Sequence, residues 1–171
     1  LVLPVTAKLP AHVESIKPLF SGDRAICTTW SLNATQGLWM TAAHCVIEIV
    51  VNEDEQSLRL VLNESLTIGG HPATVIRYDA AADLAMLQTT ARAPGLRLGK
   101  YPHVGDEVTV YGFPGSLKAP FATWLRVSNT FMKFGFYGDG EVGYMVLDGS
   151  VWPGHSGSPV LDRKGRVIAV V

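Results

Sequence analysis

The chain has 171 residues, enough for one domain of ordinary size or for two small halves sharing a cleft. Apolar residues make up 47% and the formal net charge is -1, which argues against disorder and against a basic nucleic-acid-binding face. No apolar run approaches the roughly 18 residues needed to span a bilayer. Leu1-Val2-Leu3-Pro4-Val5 lacks the charged start, long apolar core and cleavage site of a signal peptide, so a targeting segment is expected to have been removed or left out.

In chain order the sequence reads as short strands broken by Gly, Pro, Asn and Asp. Strands are predicted at Ile26 to Leu32, Leu38 to Thr41, Leu58 to Leu62, Ala73 to Tyr78 and Leu84 to Gln88. Further ones are predicted at Glu107 to Tyr111, Thr123 to Phe134, Tyr144 to Leu147, Pro159 to Leu161 and Val167 to Val171. Asn33 to Gly37 suits a hairpin turn between two apolar strands. Only Ala42 to Ile49 offers a short helix. Many strands and few helices point to an all-β sandwich or barrel. The loop Thr90 to Gly95 is the expected internal boundary, giving an N-terminal half at 1–92 and a C-terminal half at 93–171. A cleft between halves is a common place for a site.

Pro153-Gly154-His155-Ser156-Gly157-Ser158-Pro159-Val160 holds a serine between glycines, with little side-chain cover over its hydroxyl. Gly154 can take a positive φ at little cost, which would let its N–H and that of Ser156 aim at one spot. Two such donors can stabilise the oxyanion formed when a carbonyl is attacked. By itself the motif is a Gly/Ser/Pro surface turn. Trp39-Met40-Thr41-Ala42-Ala43-His44-Cys45 places a histidine just past an apolar strand, after small residues that leave its ring uncovered. Asp83-Leu84-Ala85-Met86-Leu87 offers a carboxylate before another strand, able to accept one imidazole N–H and fix the tautomer. The order His, Asp, Ser is one of the known orders of a catalytic triad. The two cysteines, Cys27 and Cys45, are either a disulfide or two buried thiols. His44, Cys45 and His71 lack the paired short spacing of a zinc site, so no metal is expected. Asn33-Ala34-Thr35 and Asn63-Glu64-Ser65 are formal glycosylation acceptors that decide nothing.

Thr41 to Cys45, Asp83 to Leu87 and Gly154 to Pro159 resemble the three signature blocks of trypsin-like serine peptidases. The serine loop is nearest in motif to bacterial glutamyl-endopeptidase-like members. Val104-Gly105-Asp106-Glu107-Val108, leading to Gly112-Phe113-Pro114, resembles the start of the second barrel in bacterial members, so the likeness spans about residues 24 to 171. The resemblance implies two six-stranded antiparallel β-barrels with the site between them. It also implies a Cys27–Cys45 disulfide, and with it a secreted or periplasmic location. The implied activity is serine endopeptidase, with polypeptide substrates and no cofactor. His44, Asp83 and Ser156 would be catalytic, and the N–H groups of Gly154 and Ser156 would form the oxyanion hole. Ser150, Trp152 and Pro153 would meet the substrate, Ser150 as a neutral pocket floor.

Three departures qualify that likeness. His155 stands where zymogen-type trypsins carry an aspartate that pairs with a freed N-terminus, and Leu1-Val2-Leu3 is not their Ile-Val-Gly start. The sequence ends at Val171, short of the strand that backs the triad in the family, so a second barrel truncated at its C-terminus is expected. Val171 also stands where glutamyl endopeptidases carry a histidine, which argues against glutamate specificity. Two alternatives follow: an inert trypsin-like binding module, or a protease that cuts only its own polyprotein.

Overall fold

A computed structural model describes residues 10–52, 57–117, 119–133 and 143–171. The first part holds β1 (Ile16–Ser21), β2 (Arg24–Asn33), β3 (Leu38–Thr41), β4 (Ile47–Asn52), β5 (Ser57–Leu62), β6 (Leu66–Ile68), β7 (His71–Asp79) and β8 (Leu84–Thr89). The second holds β9 (Glu107–Gly112), β10 (Phe121–Lys133), β11 (Gly143–Asp148), β12 (Pro159–Leu161) and β13 (Val167–Val170). Strands β1-β2-β3-β8-β7-β6 close into an antiparallel barrel. Strands β11-β10-β9-β12-β13 form a five-stranded sheet curled as half a barrel. The chain is thus nearly all-β in the two-barrel arrangement that the motifs implied, with the second barrel open.

Alternation sets which side chains enter each core. On β8, Ala85, Leu87 and Thr89 are buried while their neighbours are more exposed; on β9, Val108, Val110 and Gly112 are buried. The barrel core gathers Leu19, Trp39, Val46, Ile68 and Leu87, and the half-barrel core gathers Val108, Val110, Leu125, Val127 and Val160. A third cluster, with Ile16, Trp30, Phe113 and Leu161, joins strands of both units. Strand β2 departs from alternation: Cys27 to Ser31 are all buried. Both of its faces are covered because it lies where the two units meet, with Thr28 N–H bonded to Ser156 O at 2.8 Å.

The Asn33–Gly37 hairpin forms as read, pairing Asn33 with Leu38. The short helix expected at Ala42 to Ile49 does not form. A single 3₁₀ turn, Ala43–Cys45, is followed at once by β4, because Ile47 to Asn52 pairs with β5 instead of continuing the turn. Strands β1, β4 and β6 were not expected. The predicted strand end at Phe134 and the N-terminal residues 1–9 lie outside the described residues.

Cys27 on β2 and Cys45, the last residue of the 3₁₀ turn, are joined by a disulfide, with Cα atoms 6.2 Å apart and a sequence separation of 18. Closing a loop of that length constrains the unfolded chain by about 3 kcal/mol in the loop-entropy picture. Replacing both cysteines by alanine is expected to lower unfolding free energy by about 2–4 kcal/mol in urea titrations. An unchanged midpoint would show that the bridge is energetically idle.

Candidate active site

His44 sits in the 3₁₀ turn after β3, and Asp83 sits just before β8, the strand that pairs with β3. That pairing brings two residues 39 positions apart into contact. The His44 backbone N–H donates to Asp83 Oδ1 at 2.9 Å, and His44 Nδ1 lies 2.7 Å from Asp83 Oδ2. The Ala43 N–H closes on the Asp83 carbonyl at 3.1 Å. Asp83 is held at φ +52°, a conformation that costs energy for any residue with a Cβ and that aspartate tolerates better than most. Its turn is braced on both sides. Asp79 Oδ1 accepts from the N–H groups of Ala81 and Ala82, and the Tyr144 hydroxyl of β11 donates to Ala81 O.

The electrostatics follow from this geometry. The hydrogen bond to Asp83 raises the His44 pKa above the ordinary histidine value, against the opposing effect of burial, and the negative charge adds to the rise. Burial disfavours the ionised form of Asp83, but hydrogen bonds from the His44 side chain and backbone outweigh it, leaving the carboxyl below its usual range. With Asp83 ionised, it fixes the proton of a neutral His44 on Nδ1 and leaves a lone pair on Nε2.

The serine loop approaches from the half-barrel. Trp152 to His155 form a four-residue turn closed by His155 N–H donating to Trp152 O at 2.9 Å. Proline second and glycine third, with Gly154 at φ +103°, are the signature of a type II turn. Pro153 O accepts from Gly115 N–H, Gly154 O from the Thr28 hydroxyl, and Ser156 O from Thr28 N–H. Among the described residues the N–H groups of Gly154 and Ser156 have no acceptor. Val171 hydrogen-bonds both Gly157 and Ser158, completing the support behind the loop.

A cavity of about 650 Å³ is lined by His44, Ser156, Gly154, Pro153 and the Cys27–Cys45 bridge. Arg24, Ile47, Glu48 and Asn63 extend its wall along β2 and the foot of the β4–β5 hairpin. No hydrogen bond joins His44 Nε2 to Ser156 Oγ in this state, although both face the same space. Of the three residues expected to meet a substrate, Pro153 lines the cavity. Ser150 and Trp152 are exposed and lie outside its wall. His71 is far from any such role: its Nδ1 bonds Thr90 Oγ1, and Cys45 has spent its thiol in the disulfide. Thr28, Asp79 and Tyr144 carry no local sequence signal, because their roles depend on contacts made in the fold.

Because the His44 pKa is raised by folding, its contribution to stability is full below the unfolded-state value and is lost as pH rises through the folded one. Asp83→Asn is therefore expected to lower the His44 titration midpoint, read from the imidazole C–H resonances, and to flatten that part of the stability profile. An unmoved midpoint would mean that the contact does not act on the ring.

Residues 27–170 match the family described as the trypsin-like peptidase domain. The chain is 30% identical over 165 residues to a probable periplasmic serine endoprotease DegP-like protein of Chlamydia pneumoniae, covering 95% of this chain and 31% of that one. It is 27% identical over 139 residues to the chloroplastic protease Do-like 2 of Arabidopsis thaliana, covering 78% of this chain and 22% of that one. The chain thus spans about a third or less of the length of these curated relatives. The MamO protease domain from Magnetospirillum magneticum superposes with a TM-score of 0.70 at 14% identity, over 94% of this chain and 84% of that one. The chain belongs to the trypsin-like peptidase domain family.

Proposed function

We propose that the protein is a serine endopeptidase that cleaves polypeptides through His44, Asp83 and Ser156. The observation that carries this reading is the 2.7 Å contact between His44 Nδ1 and Asp83 Oδ2, in a cavity whose facing wall holds Ser156. With Nδ1–H engaged by Asp83, His44 Nε2 takes the Ser156 proton as the serine oxygen attacks the peptide carbonyl. The unpartnered N–H groups of Gly154 and Ser156 receive the oxyanion. His44 then gives its proton to the leaving amine, and water releases the acyl group by the same steps. Residues 1–92 would supply the base and its orienting acid, and residues 93–171 the nucleophile. Ser150 and Trp152 would meet substrate outside the cavity, and Pro153 within it. The disulfide and the periplasmic relative support residence in an oxidising compartment, secreted or periplasmic. Among the described residues no helix is long and apolar enough to cross a membrane.

One observation favours the inert-module alternative: His44 and Ser156 are not hydrogen-bonded to each other. Catalytic contacts often tighten only when substrate is bound, so the two readings diverge in reactivity and not in this geometry. Ser156→Ala is expected to lower casein hydrolysis by about 10⁶-fold with unchanged near-UV circular dichroism. A fluorophosphonate should label the parent protein stoichiometrically at Ser156. A parent that neither cleaves nor labels would instead be a binding module.

A further inference from the structure

His155, directly before Ser156, is 0% exposed. Its ring folds back onto the turn that begins at Trp152. Nδ1 lies 3.2 Å from Trp152 N and 3.1 Å from Trp152 O, so one nitrogen braces both peptide groups of that residue. A neutral ring serves either one: a bare Nδ1 accepts from the Trp152 N–H, and a protonated Nδ1 donates to the Trp152 carbonyl. The ring meets Phe121 edge-on, with centroids 6.4 Å apart. Its Cδ2 would lie 2.9 Å from a Cβ at position 112, where a side chain would also strike the Ser158 hydroxyl; Gly112 is what leaves the ring room. Among the described residues His155 Nε2 and Ser158 Oγ are buried with no hydrogen-bond partner.

Among the described residues no charged group is found against this ring. The neighbours on β9, on β10 and after the loop are Gly112, Phe121 and Ser158, none of which is charged. Burial is the largest influence and pushes the His155 pKa below the ordinary value, while the Trp152 backbone acts more weakly the other way. A protonated ring would need a counter-ion or water, and it reaches water only by leaving the turn that it braces.

We propose that His155 is a positioning residue whose neutral ring locks the Trp152–His155 turn with the Gly154 and Ser156 N–H groups presented to the cavity, and whose protonation releases that turn. The proposal rests on Ser156 being the nucleophile. It makes activity depend on two deprotonations: His44, which must be neutral to act as base, and His155, which must be neutral to stay in place. Since His44 titrates above the ordinary histidine value and His155 below it, acid should remove activity in two successive steps.

The test compares the parent protein with His155→Asn, which keeps a non-titrating amide near the place of Nδ1, and with His155→Leu, which removes the brace. In the parent, log(kcat/KM) against pH should steepen from a slope of one to a slope of about two on the acid side, over the range where circular dichroism shows the fold intact. His155→Asn should keep kcat at pH 8 within about five-fold and show a slope of one throughout, since one of the two essential protons is gone. His155→Leu should lose about 10²-fold in kcat with little change in KM, as expected when an oxyanion donor is misplaced. A slope of two persisting in His155→Asn, or parental kcat in His155→Leu, would overturn the proposal. If His155→Leu does not fold, the slope comparison alone decides. A parent that neither cleaves peptide nor reacts with a fluorophosphonate would defeat the peptidase reading itself, an outcome distinct from either of those.

Discussion

Thr28 is the residue on which the geometry of the site turns. It lies on β2 of the closed barrel, one position after Cys27, whose disulfide partner Cys45 directly follows His44. Its N–H holds Ser156 O at 2.8 Å, its hydroxyl holds Gly154 O at 2.7 Å, and the same hydroxyl accepts from Phe113 N–H. One threonine thus ties the serine loop, 126 residues away in sequence, to the barrel that carries the histidine. Fixing two carbonyls also fixes their peptide planes, since the N–H and C=O of a trans peptide point in opposite directions. Those two planes carry the N–H groups of His155 and Gly157; the Gly154 donor shares its peptide with Pro153 O, held by Gly115 N–H, and the Ser156 donor shares its peptide with His155 O, held by Ser158 N–H.

The pairing of His44 with Asp83 is secured by different means. It arises inside one barrel, from the β3–β8 ladder, and is stiffened where a strained Asp83 is caught by three hydrogen bonds to Ala43 and His44. Tyr144 reaches from the half-barrel to the same turn, through Ala81 O. Both units therefore touch both parts of the site: β2 holds the serine loop, and β11 steadies the aspartate turn. Such reciprocal bracing keeps a cleft between two sheets from opening, and it explains why the junction cluster of Trp30, Phe113 and Leu161 is as well buried as either core.

Much of this was legible in the residues. Apolar runs bounded by turn residues gave β3 and β12 to the residue, and small residues before His44 together with glycines around Ser156 marked the chemistry. Strand β1 escaped notice because Pro18 interrupts it, a residue that ordinarily argues against a paired strand. Strand β4 was hidden because its apolar run followed Ala42 to Cys45 without a turn residue, and β6 is only three residues long. Asp79, Thr28 and Tyr144 look like ordinary strand or turn residues in sequence, and their meaning comes only from partners 63 or more positions away or from the shape of a strained turn. His155 was conspicuous as a departure from the zymogen pattern, but its burial under Phe121 depends on Gly112, which no local pattern connects to it.

The proposed peptidase activity requires five groups to converge on one point in space. A crystal structure of the protein with Ser156 phosphonylated would test that requirement most directly. The expected result is a phosphonyl oxygen accepting hydrogen bonds from both Gly154 N–H and Ser156 N–H, with His44 Nε2 within hydrogen-bonding distance of Ser156 Oγ and Asp83 still on Nδ1. An adduct whose oxygen faces solvent, with the His44 ring out of reach, would contradict it.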